Sequence, residues 1–301
     1  MTPALGSACG SVAGVDLLHL DDVPVLVQGI TGGVARRHTR RMVQFGTRVA
    51  VGVTPGRGGQ RVDGLPVFDA VAEAVAVTGA RASVAFLRPL DAAEGLLEAV
   101  EAGIKLIVCP SEGVPTHGLL PVLERAASAG AIIIGPNSPG LLFPGRLSLG
   151  FLPGDVARPG AVALLSRSGT LSYEVAHELS RVGLGESAWV GIGGDGVKGT
   201  TFTDLIPTLI GDPHTRALAL IGEIGGDEEE CAAQLLAESG LPRAALIAGR
   251  TAPPGVPMGH AGAFVGSRGG YEAKAEALEA AGFYVARSPS RLAGYLAKRL
   301  A

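Results

Sequence analysis

Ten short apolar runs alternate with segments of helical length along this chain. They lie at residues 23–28, 48–53, 83–87, 105–109 and 131–134, then at 161–165, 188–192, 217–221, 244–247 and 284–286. Short apolar runs bounded by turn residues read as strands buried on both faces. Their alternation with helices calls for βαβ crossovers and so for parallel sheets. A stretch rich in proline and glycine, 135–154, interrupts the rhythm, and the domain boundary is placed within it, near residue 143. The reading is α/β: two doubly wound domains, 23–143 and 144–301, behind an N-terminal extension, 1–22, expected to be poorly ordered.

Composition narrows the partners. A formal net charge of −3 with no basic block argues against nucleic acid or an anionic membrane surface. No uninterrupted apolar run approaches the roughly 18 residues of a membrane span. Residues 1–22 lack the charged and apolar regions of a secretory signal. The cysteines, Cys9, Cys109 and Cys231, are widely spaced. They offer neither a disulfide framework nor a metal site, and they fit a reducing cytoplasm.

In open parallel sheets, ligands bind beyond the carboxyl ends of the strands, so the loops there carry the function. The first, Gly29-Ile30-Thr31-Gly32-Gly33-Val34, leads from strand to helix and can turn backbone N–H groups toward a phosphate. The second contains Pro55, Gly56 and Arg57 where an NAD enzyme would place an acid. A cation there suits an extra phosphate, as in NADP or the 3′-phosphate of coenzyme A. Ser111 and Glu112 follow the fourth run, and Asn137 lies in the bridge. Plain turn chemistry accounts for these types equally well.

In the second half, Ser166-Arg167-Ser168-Gly169-Thr170 passes from strand to helix. Read as a nucleophilic serine, the turn lacks the GxSxG glycine. Read as an anion site, it joins a helix N-terminus to hydroxyl donors. Glu223 is a lone carboxylate among glycines at a strand end, and His260 stands in a long loop of small residues. A carboxylate beside an imidazole fixes the tautomer and leaves the other nitrogen as a nucleophile.

The motifs VQGITG (27–32), GVTPGRGG (52–59), GLPVFDAVAEAV (64–75), AGIKLIV (102–108), SEGVP (111–115) and GPNSPG (135–140) are followed by SRSGTLSYE (166–174), GIGGD (191–195), IGEIGG (221–226) and MGHAGA (258–263). In this order, from about residue 23 to the C-terminus, the chain resembles the α subunit of succinyl-CoA synthetase, or succinate–CoA ligase. The resemblance implies a Rossmann-like domain binding coenzyme A through Gly29, Thr31, Gly32, Gly33, Val34, Pro55, Gly56, Arg57, Ser111, Glu112 and Asn137. It implies a flavodoxin-like ligase domain in which His260 is transiently phosphorylated and Glu223 orients it. Ser166, Ser168, Gly169 and Thr170 would receive the phosphoryl group. ATP or GTP with Mg²⁺ would be held mainly by a β subunit of ATP-grasp fold. The implied activity is a cytoplasmic one of the tricarboxylic acid cycle, acting on succinate or a related dicarboxylate.

The departures cluster around the coenzyme. Ala35 replaces a family glycine, and its methyl would block a positive-φ backbone if the position required one. Arg37 replaces an aromatic residue, Arg57 a lysine, and Leu87-Arg88-Pro89-Leu90 the usual Val-Pro-Ala-Pro. Pro254, Val256 and Pro257 replace basic residues near His260. The alternatives are a malate- or citrate-type CoA ligase subunit, a non-catalytic CoA-sensing homologue, and an NADP oxidoreductase.

Overall fold

The structure, a computed structural model, describes residues 17, 22–253, 255–256, 258–265 and 269–301. The expectation for residues 1–22 therefore lies outside the described residues, apart from Leu17 and Asp22. So do Pro254 and Pro257.

The first sheet is built from β1 (Val25–Gln28), β2 (Val49–Val53), β3 (Arg61–Val62), β4 (Leu65–Phe68), β5 (Ala82–Ala85), β6 (Leu106–Val108) and β7 (Ile132–Ile134), in the order β3-β4-β2-β1-β5-β6-β7. All neighbours are parallel except β3 with β4. The helices are α1 (Gly33–Phe45), α2 (Val71–Thr78), α3 (Pro89–Glu101) and α4 (Thr116–Ser128). From β1 the chain winds to one side through β2 and β4, then returns to β5 on the other. The switch point, where loops diverge and leave a crevice, falls between β1 and β5.

The second sheet repeats the plan. It comprises β8 (Gly140–Phe143), β9 (Leu147–Gly150), β10 (Pro159–Ser166), β11 (Glu186–Gly191), β12 (Ala217–Glu223), β13 (Arg243–Ala248) and β14 (Tyr284–Ala286), in the order β14-β13-β12-β10-β11-β8-β9. Its helices are α5 (Gly169–Arg181), α6 (Phe202–Gly211), α7 (Glu228–Leu236), α8 (Tyr271–Ala280) and α9 (Pro289–Leu300). Here the switch point lies between β10 and β12, which carry Ser166 and Glu223 at their carboxyl ends.

The turn-rich bridge differs from expectation. Residues 140–143 form β8, an antiparallel edge strand on β11, so the chain changes sheet between β7 and β8 rather than near 143. The hairpin β8–β9 also packs back on α1. Thr47 Oγ1 donates to the Ser148 carbonyl (2.9 Å) and accepts from the Ser148 N–H (3.0 Å). One apolar core therefore runs from Val25, Val27 and Met42 through Leu141, Phe143 and Leu149 to Leu165 and Val190. Among the described residues, no helix is long and apolar enough to cross a membrane.

Asp69 precedes α2, whose N-cap is Ala70. Its carboxylate accepts from the N–H groups of Arg57 and Gly58, both at 2.8 Å, and shapes the loop after β2. Ala35 lies within α1 with its methyl in the core, and its φ is not positive. The methyl therefore meets no positive-φ constraint. Cys109 is a free, buried thiol pushed up to about 11 by burial, and Cys231 is disulfide-bonded, a pairing the spacing gave no reason to expect.

Glu186 opens β11 at 1% exposure. One carboxylate oxygen accepts from the Arg158 N–H at 3.1 Å and the other has no partner. Burial pushes this carboxyl up to about 7 from its ordinary 4.5, against the pull of that backbone hydrogen bond. A raised carboxyl releases its proton later in the folded chain than in the unfolded one. Folding stability therefore falls as pH rises from the unfolded value to the folded one. Glu186→Gln should gain up to about 3 kcal/mol on the wild type between pH 5 and pH 8. Denaturant melts of both proteins at the two pH values check this; equal differences at both would contradict it.

Candidate active site

The crevice at the first switch point is a pocket of about 530 Å³, lined by Gln28, Gly29, Thr31, Gly32, Val53, Thr54 and Pro55 with Phe86, Leu87 and Arg88. Gly29 has φ +74°, and a Cβ there would stand 2.3 Å from the Phe86 carbonyl oxygen, so only glycine lets the two strand ends close up. Beyond it, α1 opens on Gly32 with no side-chain cap and no acid in its first turn. Its leading N–H groups are left for an anionic ligand. Arg57 is exposed on the adjoining loop. Arg88, unexpected in this motif, is held at the surface by Asp91 at 2.6 Å.

A second pocket, about 320 Å³, continues from the first through Gly33, Val34 and Ser111 to Pro110 and Phe151. Phe151 belongs to the second half of the chain and packs on Phe86 and His38, with ring centroids 5.4 and 4.5 Å away. Pro110 and Phe151 also line a third pocket of about 310 Å³, which contains Glu112, Asn137, Gly169, Thr170, Tyr173 and His260. The three pockets therefore follow one another, through shared lining residues, from the first switch point toward the second. Asn137, at φ +56°, crosses between the halves by donating to Asp195 at 2.9 Å.

His260 is placed from beneath. β12 ends on Glu223, whose Oε2 accepts from the His260 Nδ1–H at 2.7 Å. A carboxylate can only accept, so the proton sits on Nδ1 and Nε2 is the free base. The His260 loop is held by the Gly262 N–H, which donates to the Gly194 carbonyl at 3.2 Å. Gly194 lies flat against the imidazole, and a Cβ there would come within 2.4 Å of Nδ1. The hydrogen bond to Glu223 raises the proton affinity of His260 above an ordinary imidazole. Burial and the Arg167 charge oppose this, and the charges of Glu223 and Glu112 reinforce it.

The turn after β10 contributes differently from its sequence reading. Ser166 is fully buried, its hydroxyl donating to the Ser168 carbonyl (2.6 Å) and accepting from the Ser168 N–H (3.0 Å), so it holds the turn and faces no ligand. Ser168 caps α5 by accepting from the Leu171 N–H. Gly169 and Thr170, at the start of α5, line the pocket that holds His260. A helix start with no acid in its first turn presents partial positive charge to that pocket.

Arg167 was not singled out by its sequence context. Its guanidinium is 3% exposed, 3.0 Å from Glu223 and 3.3 Å from Glu229. A basic residue between two serines at a strand end resembles any solvated turn arginine, so only the glutamates of the neighbouring strand end and helix give it away. The proposed CoA residues divide among the pockets. Gly29, Thr31, Gly32 and Pro55 line the first, Gly33, Val34 and Ser111 the second, and Glu112 and Asn137 the third, beside His260. Gly56 and Arg57 stand on the loop adjoining the first.

Comparison with known proteins agrees with this division. The CoA binding domain family model matches residues 21–113, and the CoA-ligase model matches 165–284. The two halves define a CoA ligase. Curated relatives include the succinate–CoA ligase [ADP-forming] subunit alpha 2 of Archaeoglobus fulgidus, 48% identical over 92% of this chain and 96% of its own length. The alpha subunit of the same enzyme from Aquifex aeolicus is 47% identical over 93% of each chain. The chain belongs to the succinate–CoA ligase α-subunit family. Among solved structures, ATP citrate lyase from Methanothrix soehngenii, in complex with citrate and coenzyme A, superimposes with a TM-score of 0.82 at 26% identity. That match covers 93% of this chain but only 51% of the lyase, so the chain spans about half the length of that protein.

Gly194→Ala should push the imidazole off Glu223 and bring the titration midpoint of His260 down toward that of a free histidine. Proton NMR of the His260 ring across pH reads this directly; an unchanged midpoint would mean that the ring does not depend on the Gly194 face.

Proposed function

We propose that this chain is the histidine-bearing subunit of an ADP-forming succinate–CoA ligase, completed by a partner subunit of ATP-grasp fold that handles the nucleotide and Mg²⁺. The observation that carries the reading is the 2.7 Å contact between His260 Nδ1 and Glu223, beside the start of α5 and at the end of a path from the CoA-binding half. The names of the relatives support succinate as the acid. The likeness to ATP citrate lyase makes citrate the acid to compare it with.

ATP supplies the phosphoryl group. His260 Nε2 attacks its γ-phosphorus, the bond to the β-phosphate oxygen breaks, and ADP leaves. Glu223 holds the Nδ1 proton and balances the charge that builds on the ring. The leading N–H groups of α5, with Gly169 and Thr170, stabilise the phosphoryl oxygens while the group is on nitrogen. A succinate carboxylate oxygen then attacks phosphorus, the P–N bond breaks, and Nε2 recovers its lone pair. The CoA thiolate attacks the acyl carbon of the resulting acyl phosphate and expels inorganic phosphate. Gly32, Gly33 and the start of α1 would hold the coenzyme's phosphates, with Phe151 and Pro110 along the path to the reacting carbon.

The nucleophile is neutral imidazole, so phosphorylation should fail as pH drops through the raised His260 pKa, above the range where a free histidine protonates. Mixing the chain with its partner subunit and γ-labelled ATP should give acid-labile label on the wild type and none on His260→Asn. Glu223→Gln should be slowed by about a hundredfold through misplacement of the ring. No label on the wild type, or equal label on His260→Asn, would overturn the assignment. Measuring CoA thioester formation with succinate and with citrate settles the acid.

A further inference from the structure

Behind Glu223 lies a chain of buried charges that the reaction above does not use. Glu229, on the first turn of α7, is fully buried. Its Oε1 accepts from the Glu223 N–H at 3.0 Å and from Arg167 Nη1 at 3.3 Å. Its Oε2 accepts from Lys274 on α8, also fully buried, whose ammonium donates further to Glu230 at 2.9 Å and to the Gly226 carbonyl at 3.0 Å. The sequence of contacts is Lys274, Glu229, Arg167, Glu223, His260. Its members other than the histidine, with Glu230, are two cations and three anions.

Burying so many charges is expensive, and apolar residues of the same volume would cost less. The arrangement does something that packing alone does not. Arg167 is shared between two carboxylates, and the share each receives depends on what else neutralises Glu229. Burial opposes the charge of Glu229, yet Lys274 and then Arg167 hold its carboxyl below the usual range. Burial likewise opposes the charge of Arg167, and Glu229, Glu223 and Glu228 together more than offset it. Glu228 is itself tied to Lys198, from the loop after β11.

We propose that Lys274 and Glu229 are positioning residues for His260, acting through Arg167: by occupying Glu229, Lys274 leaves the guanidinium for Glu223, and this sets the charge that the imidazole feels. The inference rests on the phosphohistidine reading for its purpose and on the contacts alone for its geometry. The charged groups facing His260 are Glu223 from β12, Arg167 from the turn after β10 and Glu112 from the loop after β6. Only the first two belong to the chain of contacts, so Glu112 supplies a constant background.

Opposite substitutions have opposite effects on this arrangement. Lys274→Met keeps most of the length of the side chain and removes the cation. Glu229 then draws Arg167 to itself, Glu223 faces His260 less compensated, and the ring holds its proton to higher pH. Glu229→Gln keeps an oxygen for the Glu223 N–H and removes the anion. Arg167 then acts on Glu223 undivided, and the ring loses its proton at lower pH. The double variant removes a cation and an anion together and should return close to the wild type.

The experiment is an NMR titration of the His260 ring in the full-length chain for the wild type, both single variants and the double. We expect a rise for Lys274→Met and a fall for Glu229→Gln, each of about half to one pH unit, a three- to tenfold change in proton affinity. A role in packing alone would lower the melting temperature of the variants without moving the midpoints in opposite directions. Midpoints that stay put, or move the same way, overturn the proposal. If Lys274→Met does not fold, Glu229→Gln decides alone, since Lys274 keeps Glu230, and a midpoint that fails to fall overturns it. With the partner subunit and nucleotide present, the acid limb of the phosphorylation rate should move with the midpoints. Midpoints that shift as expected in a chain that takes up no phosphoryl group would overturn the function proposed above and leave this inference standing.

Discussion

A guanidinium enclosed by carboxylates organises the catalytic half of this molecule. Arg167 emerges at the end of the central strand β10 and meets Glu223 at the end of its neighbour β12 and Glu229 on the helix that follows. A buried arginine is tolerable only when its charge is matched by nearby carboxylates. Here the match also brings together three segments distant in sequence. The loop carrying His260 joins the same arrangement through the Gly262 carbonyl, 3.5 Å from the guanidinium. The histidine is therefore an extension of an ion cluster rooted in the sheet, although it stands in a loop of small residues that has little structure of its own.

The same geometric rule locates both ligand regions. Each half is a doubly wound sheet with one place where consecutive loops diverge, between β1 and β5 in the first and between β10 and β12 in the second. The first leaves a crevice floored by glycines at the start of α1. The second brings a carboxylate, an imidazole and a helix N-terminus to one point. The hairpin β8–β9 orients one toward the other, and Phe151, just past its second strand, lines both the middle pocket and the one containing His260. The proposed division of labour between coenzyme and phosphoryl group thus matches the topology before any particular side chain is considered.

Much of this was legible in the sequence because parallel central strands are apolar on both faces. The run at 217–221 needed only two residues added to become Ala217–Glu223. Strands at the margins were not legible. β4 contains Pro66, while β8 and β9 lie in a stretch dense with glycine and proline, and those residue types read as turns. At the site, Glu223 and His260 stood out because little else reactive surrounds them. Ser166 is ambiguous in sequence because a hydroxyl beside a helix start looks the same whether it faces a ligand or the turn. Nothing local in the sequence announces that Arg167 and Lys274 are buried cations; the anions that match them come from another strand and another helix.

The apolar core shared by the two sheets has a further consequence. Met42 of α1, Leu149 of β9 and Val190 of β11 belong to one continuous cluster, and Thr47 and Ser148 exchange hydrogen bonds across the same contact. A cut between the halves would uncover apolar surface on both fragments and orphan polar groups that now satisfy each other. The two family domains are thus units of topology that share one apolar core. Any loosening of the first half would then uncover apolar surface on which the half carrying His260 also packs.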